Sequence, residues 1–242
     1  MTGEFTLDKY NVFLNEEIGK GGFGVVYKGK KQNGTDIAVK MCKLKTHDPD
    51  EEERKVNDTL KEIKNLQHLK NHPHIVQLYD FFYRKKAYWI IMEYCKAGDL
   101  DQFVCRNNPN LQEMINIMFQ SASGINFMHA GKSPTVHRDI KPQNILVQEN
   151  GDSSIVKITD FGLSKTVDIT ESVRTLVFNS KHGTQGYMAP EFFKEDKTMT
   201  FGKYVDVFSL GLVYLAMIMH KNGENPLTPY GGEFYSQLLI FC

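Results

Sequence analysis

The sequence predicts an α+β fold of two unequal lobes: a small antiparallel β-sheet lobe carrying one helix, then a larger, mainly helical lobe. Three observations predict it. Alternating apolar and polar residues flank Asn33-Gly34 in "VVYKGKKQNGTDIAVKMCKL", the strongest short-range hairpin signal. One charged amphipathic stretch and two apolar runs come next. Beyond a short link the periodicity turns helical. Strands first and helices second suggest two lobes with a ligand between them.

Composition narrows the function classes. At 242 residues, 41% of them hydrophobic, the chain can bury a sizeable core. Lysine plus arginine number 29 and aspartate plus glutamate 29, so there is no global electrostatic case for nucleic acid or an anionic membrane. Cys42, Cys95, Cys105 and Cys242 lack the clustering of a zinc site or a disulfide framework. Glu4, Asp8 and Glu16 interrupt any opening apolar run, and the most apolar stretch, "VFSLGLVYLAMIMH", is short for a bilayer and follows Asp206. The sequons at Asn33 and Asn57 read as chance or turn chemistry without a secretory signal. The expectation is a soluble chain in a reducing compartment, cytoplasmic or nuclear, with no membrane segment and no nucleic-acid partner.

In chain order, the first element is "EEIGKGGFGVVYKG", residues 16–29, with Gly19, Gly21 and Gly24 spaced G-x-G-x-x-G. That spacing serves a strand-to-helix dinucleotide turn or a hairpin over ATP phosphates. A helix would have to begin near Gly24, but a strand pattern stands there, so the hairpin device is the one present. The P-loop also fails, because Val25 and Val26 occupy its Lys and Ser/Thr positions. From about 50 to 70, Val56, Leu60, Ile63 and Leu66 recur at helical steps. "HIVQLYDFF" and "AYWIIMEYC" read as buried strands. In "NLQEMINIMFQSASGINFMHA", Leu111, Met114, Ile115, Met118, Ala122, Ile125 and Met128 form one apolar helical stripe, which is packing.

Chemistry concentrates in "VHRDIKPQNILV" (136–147) and "KITDFG" (157–162). Together with the glycine run, "IAVK" ending at Lys40 and "APE" at 189–191, they stand in one order. In that order the chain resembles the eukaryotic protein-kinase family, serine/threonine type, from about Phe13 to His220. The resemblance implies a kinase domain over 13–242, with a small lobe at 13–92, a hinge at 93–98 and a large lobe at 99–242. Residues 1–12 are then an N-terminal extension.

The resemblance also implies ATP and Mg²⁺. ATP carries dense negative charge, so backbone N–H groups must come close to it, and glycines permit that approach. Ile18, Gly19, Lys20, Gly21, Gly22, Phe23, Gly24, Val25 and Val26 would cover the nucleotide. Lys40 would hold the α- and β-phosphates, its flexible stem fixed by Glu62; Glu53 comes too early in the helical pattern. Asp139 would orient and deprotonate the substrate hydroxyl, and Lys141 would neutralise charge on the transferred phosphoryl group. Asn144 and Asp160 offer the oxygen ligands that a hard cation prefers. Val26, Ala38 and Leu146 would sandwich the adenine with Met92 behind it. The backbone of Glu93 and Cys95 would bond the base, and Asp99 the ribose.

Lys141 two residues after Asp139, with Gly183-Thr184 to bond that pair, implies a protein substrate phosphorylated on Ser or Thr. Gln143 gives no support for a basic substrate preference. Arg138 needs a negative partner, and a phosphate placed by an upstream kinase on the segment between Asp160 and Ala189 would supply one. Ser164, Thr166, Thr170, Ser172, Thr175 and Ser180 lie there, and Thr175 or Ser180 is the expected site. Asp206 is placed to bind the backbone around Arg138, on a helix where Phe208 replaces the more usual Trp. Family members continue with three more helices, one supplying an Arg to Glu191. No Arg follows Arg174 here, so a truncated large lobe is expected. The alternative reading is a non-catalytic regulator that binds ATP or a partner through the same fold.

Overall fold

Six strands form the small lobe: β1 (Glu4–Leu7), β2 (Tyr10–Gly21), β3 (Gly24–Lys31), β4 (Asp36–Lys43), β5 (Leu78–Arg84) and β6 (Ala87–Glu93). They make one antiparallel sheet in the order β1-β2-β3-β4-β6-β5, and helix α1 (Pro49–His68) joins β4 to β5. This computed structural model describes residues 3–22, 24–44, 46, 48–130, 133–151, 153–166, 183–184, 186–190 and 202–221. Phe23, Thr170, Ser172, Thr175, Ser180, Glu191 and Cys242 lie outside the described residues.

The predicted hairpin forms with Lys30 opposite Asp36. Gly34 turns it at φ 83°, and the Thr35 N–H donates to Asn33 Oδ1 at 3.2 Å. Alternation along β4 then divides the lobe. Ile37, Val39 and Met41 pack outward with Leu7, Tyr10, Val12, Trp89 and Ile91, while Ala38 and Lys40 face the cleft. The boundary drawn at Phe13 therefore falls inside β2. Residues 4–12 are part of the sheet, and Phe5 packs on Trp89 with ring centroids 5.1 Å apart.

Helix α1 starts where Asp48 accepts from the Asp50 N–H, with Pro49 in the first turn and Asp50, Glu51 and Glu52 at the positive helix end. It buries Thr59, Glu62, Ile63, Asn65 and Leu66. Leu60, expected in the stripe, is instead 41% exposed. The run at 74–82 also differs from its expected form as a buried strand. Residues 74–76 bond to Ile158 of the large lobe, so β5 begins only at Leu78, and as the sheet edge it exposes Tyr79, Phe81 and Tyr83.

The large lobe contains α2 (Leu100–Asn107), α3 (Leu111–His129), β7 (Thr135–Val136), β8 (Ile145–Asn150), β9 (Ser153–Ile158), β10 (Lys165–Thr166) and α4 (Tyr204–Lys221). The buried face of α3 is Met114, Ile117, Gln120, Ser121, Gly124, Ile125 and Met128. Leu111, Ile115 and Ala122 of the expected stripe are exposed. Polar and small residues take the core side because they have partners there. Gln120 bonds the backbone of Ser154 and Val156, and Ser121 meets the Tyr214 hydroxyl at 3.0 Å. Helix α4 is 18 residues and, by length and composition, apolar enough to cross a membrane, but Asp206, Val213 and Met217 are fully buried in the lobe. One core cluster links the lobes, running from Ile63 and Leu66 through Phe161 to Met128 and Met217.

Candidate active site

A cleft of about 720 Å³ lies between the lobes. Its roof is the β2–β3 hairpin, with Gly19 opposite Val26 and Gly21 opposite Gly24. Gly24 is fixed by its neighbours: φ is 143°, and a Cβ would come within 2.4 Å of the Met41 carbonyl oxygen. Gly21 and Gly22 differ, since a Cβ on either would meet no protein atom within 4 Å. Protein packing does not demand glycine at these two positions, which face open cleft space. Ile18, Lys20, Val26, Ala38, Met92, Glu93, Cys95, Asp99 and Leu146 line the cleft. Val25 does not, because strand alternation takes it out of the lining and pairs it with Met41.

Lys40 reaches into the cleft from β4. Its Nζ lies 2.6 Å from Glu62 Oε1 and 3.2 Å from Asp160 Oδ1. Burial disfavours the ammonium, but the two carboxylates outweigh it and hold Lys40 above its ordinary range. Burial works to raise the Glu62 carboxyl, with Lys40 working against it. Burial also works to raise Asp160, yet its pairing with Lys40, helped by His137 and Lys141, leaves it below its ordinary value. Asp160 adopts a left-handed conformation, φ 65°, and the Phe161 ring after it is fully buried against His137.

The floor is built around Asp139. Its Oδ1 accepts from the Thr184 N–H at 2.9 Å and hydroxyl at 2.8 Å. Its Oδ2 accepts from Asn144 Nδ2 at 3.0 Å and pairs with Lys141 Nζ at 2.9 Å. Lys141 also donates to Thr184 Oγ1 at 2.7 Å. The preceding backbone is clamped by Asp206, whose oxygens accept from the His137 and Arg138 N–H groups and approach His129 Nε2, each at 2.8 Å. Arg138, at φ 70°, donates from Nε to the Leu163 carbonyl at 2.6 Å. Burial lowers its pKa, with Asp206 opposing. Ser164 and Thr166 have engaged hydroxyls: Ser164 approaches the His137 carbonyl, and Thr166 bonds Asn65 and Thr135.

The hinge runs against β8. Ala97 N–H donates to Val147 O, Val147 N–H to Gly98 O, and Glu93 pairs with Lys157 of β9 at 2.9 Å. Asp99 caps α2 through the Gln102 N–H, and burial raises its carboxyl. Burial, reinforced by Glu93, pushes the Cys95 thiol up to about 12, so it faces the cleft neutral. Sequence reasoning missed Val76, Tyr94, Lys96, Gln102, Arg106 and Thr159 in the lining. Gln102 and Arg106 stand three and seven residues after Asp99, a helical spacing that could have revealed them.

Among the described residues no three carboxylates, histidines or cysteines gather as a metal cage. Mg²⁺ commonly needs only one or two protein oxygens beside substrate phosphates and water. Asn144 fits that role, since its amide nitrogen is spent on Asp139 and its oxygen faces away from that bond; Asp160 adds an ionised carboxylate.

Residues 13–228 match the model of the protein kinase domain, and the chain belongs to that family. It is similar to a probable receptor-like protein kinase of Arabidopsis thaliana, 36% identical over 95% of this chain and 27% of that protein. It is 31% identical to the probable serine/threonine-protein kinase zyg-1 of Caenorhabditis elegans over 86% of this chain and 27% of the other. With the serine/threonine-protein kinase dst1 of Dictyostelium discoideum the identity is 34% over 84% of this chain and 25% of that protein. The chain thus spans about a quarter of the length of these relatives.

Proposed function

We propose that this chain transfers the γ-phosphoryl group of ATP to a serine or threonine hydroxyl of a protein substrate. The observation that carries the reading is the joined set around the cleft: Lys40 bonded to both Glu62 and Asp160, and Asp139 bonded to Lys141, Asn144 and Thr184. The relatives named above, serine/threonine and receptor-like kinases, support it. Bound Mg²⁺, held by Asn144 and Asp160, would neutralise phosphate charge.

The protein's own residues do the rest. Gly19, Gly21 and Gly22 leave room above the phosphates, and Lys40, locked by Glu62, points its charge at them. Val26, Ala38 and Leu146 offer the adenine an apolar slot. Asp139 accepts the hydroxyl proton; four donors pin its carboxylate, so little reorganisation accompanies the transfer. Lys141 spans Asp139 and Thr184 and supplies positive charge where the phosphoryl group passes. The non-catalytic alternative has no observation in its favour, since Lys40 is bonded to Asp160 and Asp139 to Asn144.

An upstream kinase acting on the segment after Thr166 remains part of this proposal, because half-buried Arg138 offers a cation to a phosphate there. The test is transfer of labelled phosphate from ATP and Mg²⁺ to degenerate peptides. Label on Ser/Thr peptides, absent with Asp160→Ala, is expected. Equal label with that variant, or label on Tyr peptides alone, overturns the reading.

A further inference from the structure

Asn65 occupies a core position on α1, 5% exposed, where an apolar residue would fill the same space. Its Nδ2 lies 3.4 Å from the carbonyl oxygens of both Phe161 and Ser164. Its Oδ1 accepts from Thr166 Oγ1 at 2.9 Å. Carbonyls can only accept, so they dictate which end of the amide faces them. Thr166 in turn meets Thr135 Oγ1 at 2.7 Å, where β10 pairs with β7.

These contacts close a circuit. Glu62 lies one helical turn before Asn65, and both are buried. Glu62 holds Lys40, Lys40 holds Asp160, Asp160 precedes Phe161, and the Phe161 carbonyl returns to Asn65. Moving α1 away would break the Lys40–Glu62 pair and release the 161–166 segment together.

We propose that Asn65 is a positioning residue that latches α1 to residues 161–166, so that the Lys40–Glu62 pair and the placement of Asp160 form or break as one unit. Thr166 is the outer half of the latch. What the latch serves rests on the phosphotransfer reading; its existence does not. A buried amide with three directed bonds specifies one register of helix against segment. A leucine of similar volume packs there without preferring it, and gives up the bonds to the Phe161 and Ser164 carbonyls, the first of which still accepts from the Ser164 N–H.

The test uses the full chain with Asn65→Leu, Thr166→Val and Thr166→Ser. Asn65→Leu is expected to lower kcat about tenfold, about 1.4 kcal/mol, with KM for ATP within about threefold. Its amide exchange should quicken at 161–166 and in the second half of α1, with β8, β9 and α3 unchanged. Thr166→Val should reproduce the pattern more weakly, and Thr166→Ser should restore wild-type exchange. Unaltered exchange at 161–166 in Asn65→Leu overturns the latch. So does exchange that rises across the whole chain with a lower thermal midpoint, the mark of a general packing role. Exchange is read without substrate, so a wild type that transfers no phosphate defeats the phosphotransfer reading while the latch is still decided.

Discussion

Replacing Asp206 by alanine removes the clamp beneath the catalytic loop, and the structure sets the scale. The carboxylate is fully buried and accepts the His137 and Arg138 N–H groups at 2.8 Å each. Hydrogen bonds to a charged group contribute about 1.5–3 kcal/mol apiece, so two lost bonds predict about 3–6 kcal/mol of destabilisation. That is a large part of the 5–15 kcal/mol roughly typical of a whole domain. Arg138 holds φ 70°, a conformation that non-glycine residues adopt rarely, and loses the acceptor that keeps it there. Urea unfolding followed by far-ultraviolet circular dichroism measures the loss. Asp206→Asn keeps one acceptor oxygen and should lose about half as much, which guards against an alanine variant that fails to fold. Amide exchange at His137 and Arg138 should rise in both. An alanine variant within about 1 kcal/mol of wild type would refute the reasoning.

Other outcomes follow from the same geometry. Lys40→Met strands two carboxylates and should cost about 3–5 kcal/mol by chemical denaturation; adding Glu62→Leu should recover most of that stability but no transfer activity. Gly124→Ala places a Cβ 2.7 Å from Ile158 Cδ1 and 3.0 Å from the His74 carbonyl, and should lower the unfolding free energy by about 1–3 kcal/mol. Asp160, held below its ordinary 3.8, adds stability present above that pH and lost as pH falls through its lower folded value. Lys40, held above its ordinary 10.5, adds stability present below that pH and lost as pH rises through its higher folded value. Asp160→Asn should therefore weaken the acid limb of the urea midpoint's pH profile.

Local chemistry made much of this fold and site legible in the sequence. Asn33-Gly34 placed the hairpin because few residues accept its backbone turn, and β4 alternation carried Lys40 to the cleft. Glu62 could be chosen over Glu53 because helical spacing fixes which side of α1 a residue faces. What hydropathy could not read was burial of polar groups by long-range partners. Gln120 lies in the core because the backbone of β9 bonds it, and Asn65 because the 161–166 segment does; neither partner is near in sequence. Leu111, Ile115 and Leu60 face outward for the complementary reason: those polar neighbours hold the inner face. The β1 strand was missed because only its pairing with β2 and the Trp89 side of the sheet gives Phe5 and Leu7 a place to pack.

The central claim is that Asp139 acts on the substrate hydroxyl and is not merely part of the loop's bonding. Asp139→Asn keeps an oxygen for Thr184 or Lys141 but cannot accept a proton. Calorimetric titration with Mg²⁺ and a non-hydrolysable ATP analogue, beside the transfer rate on a Ser/Thr peptide, separates the two roles. The account predicts nucleotide affinity within about threefold of wild type and a transfer rate lower by roughly 10²–10⁴. A variant that transfers phosphate at the wild-type rate would contradict it.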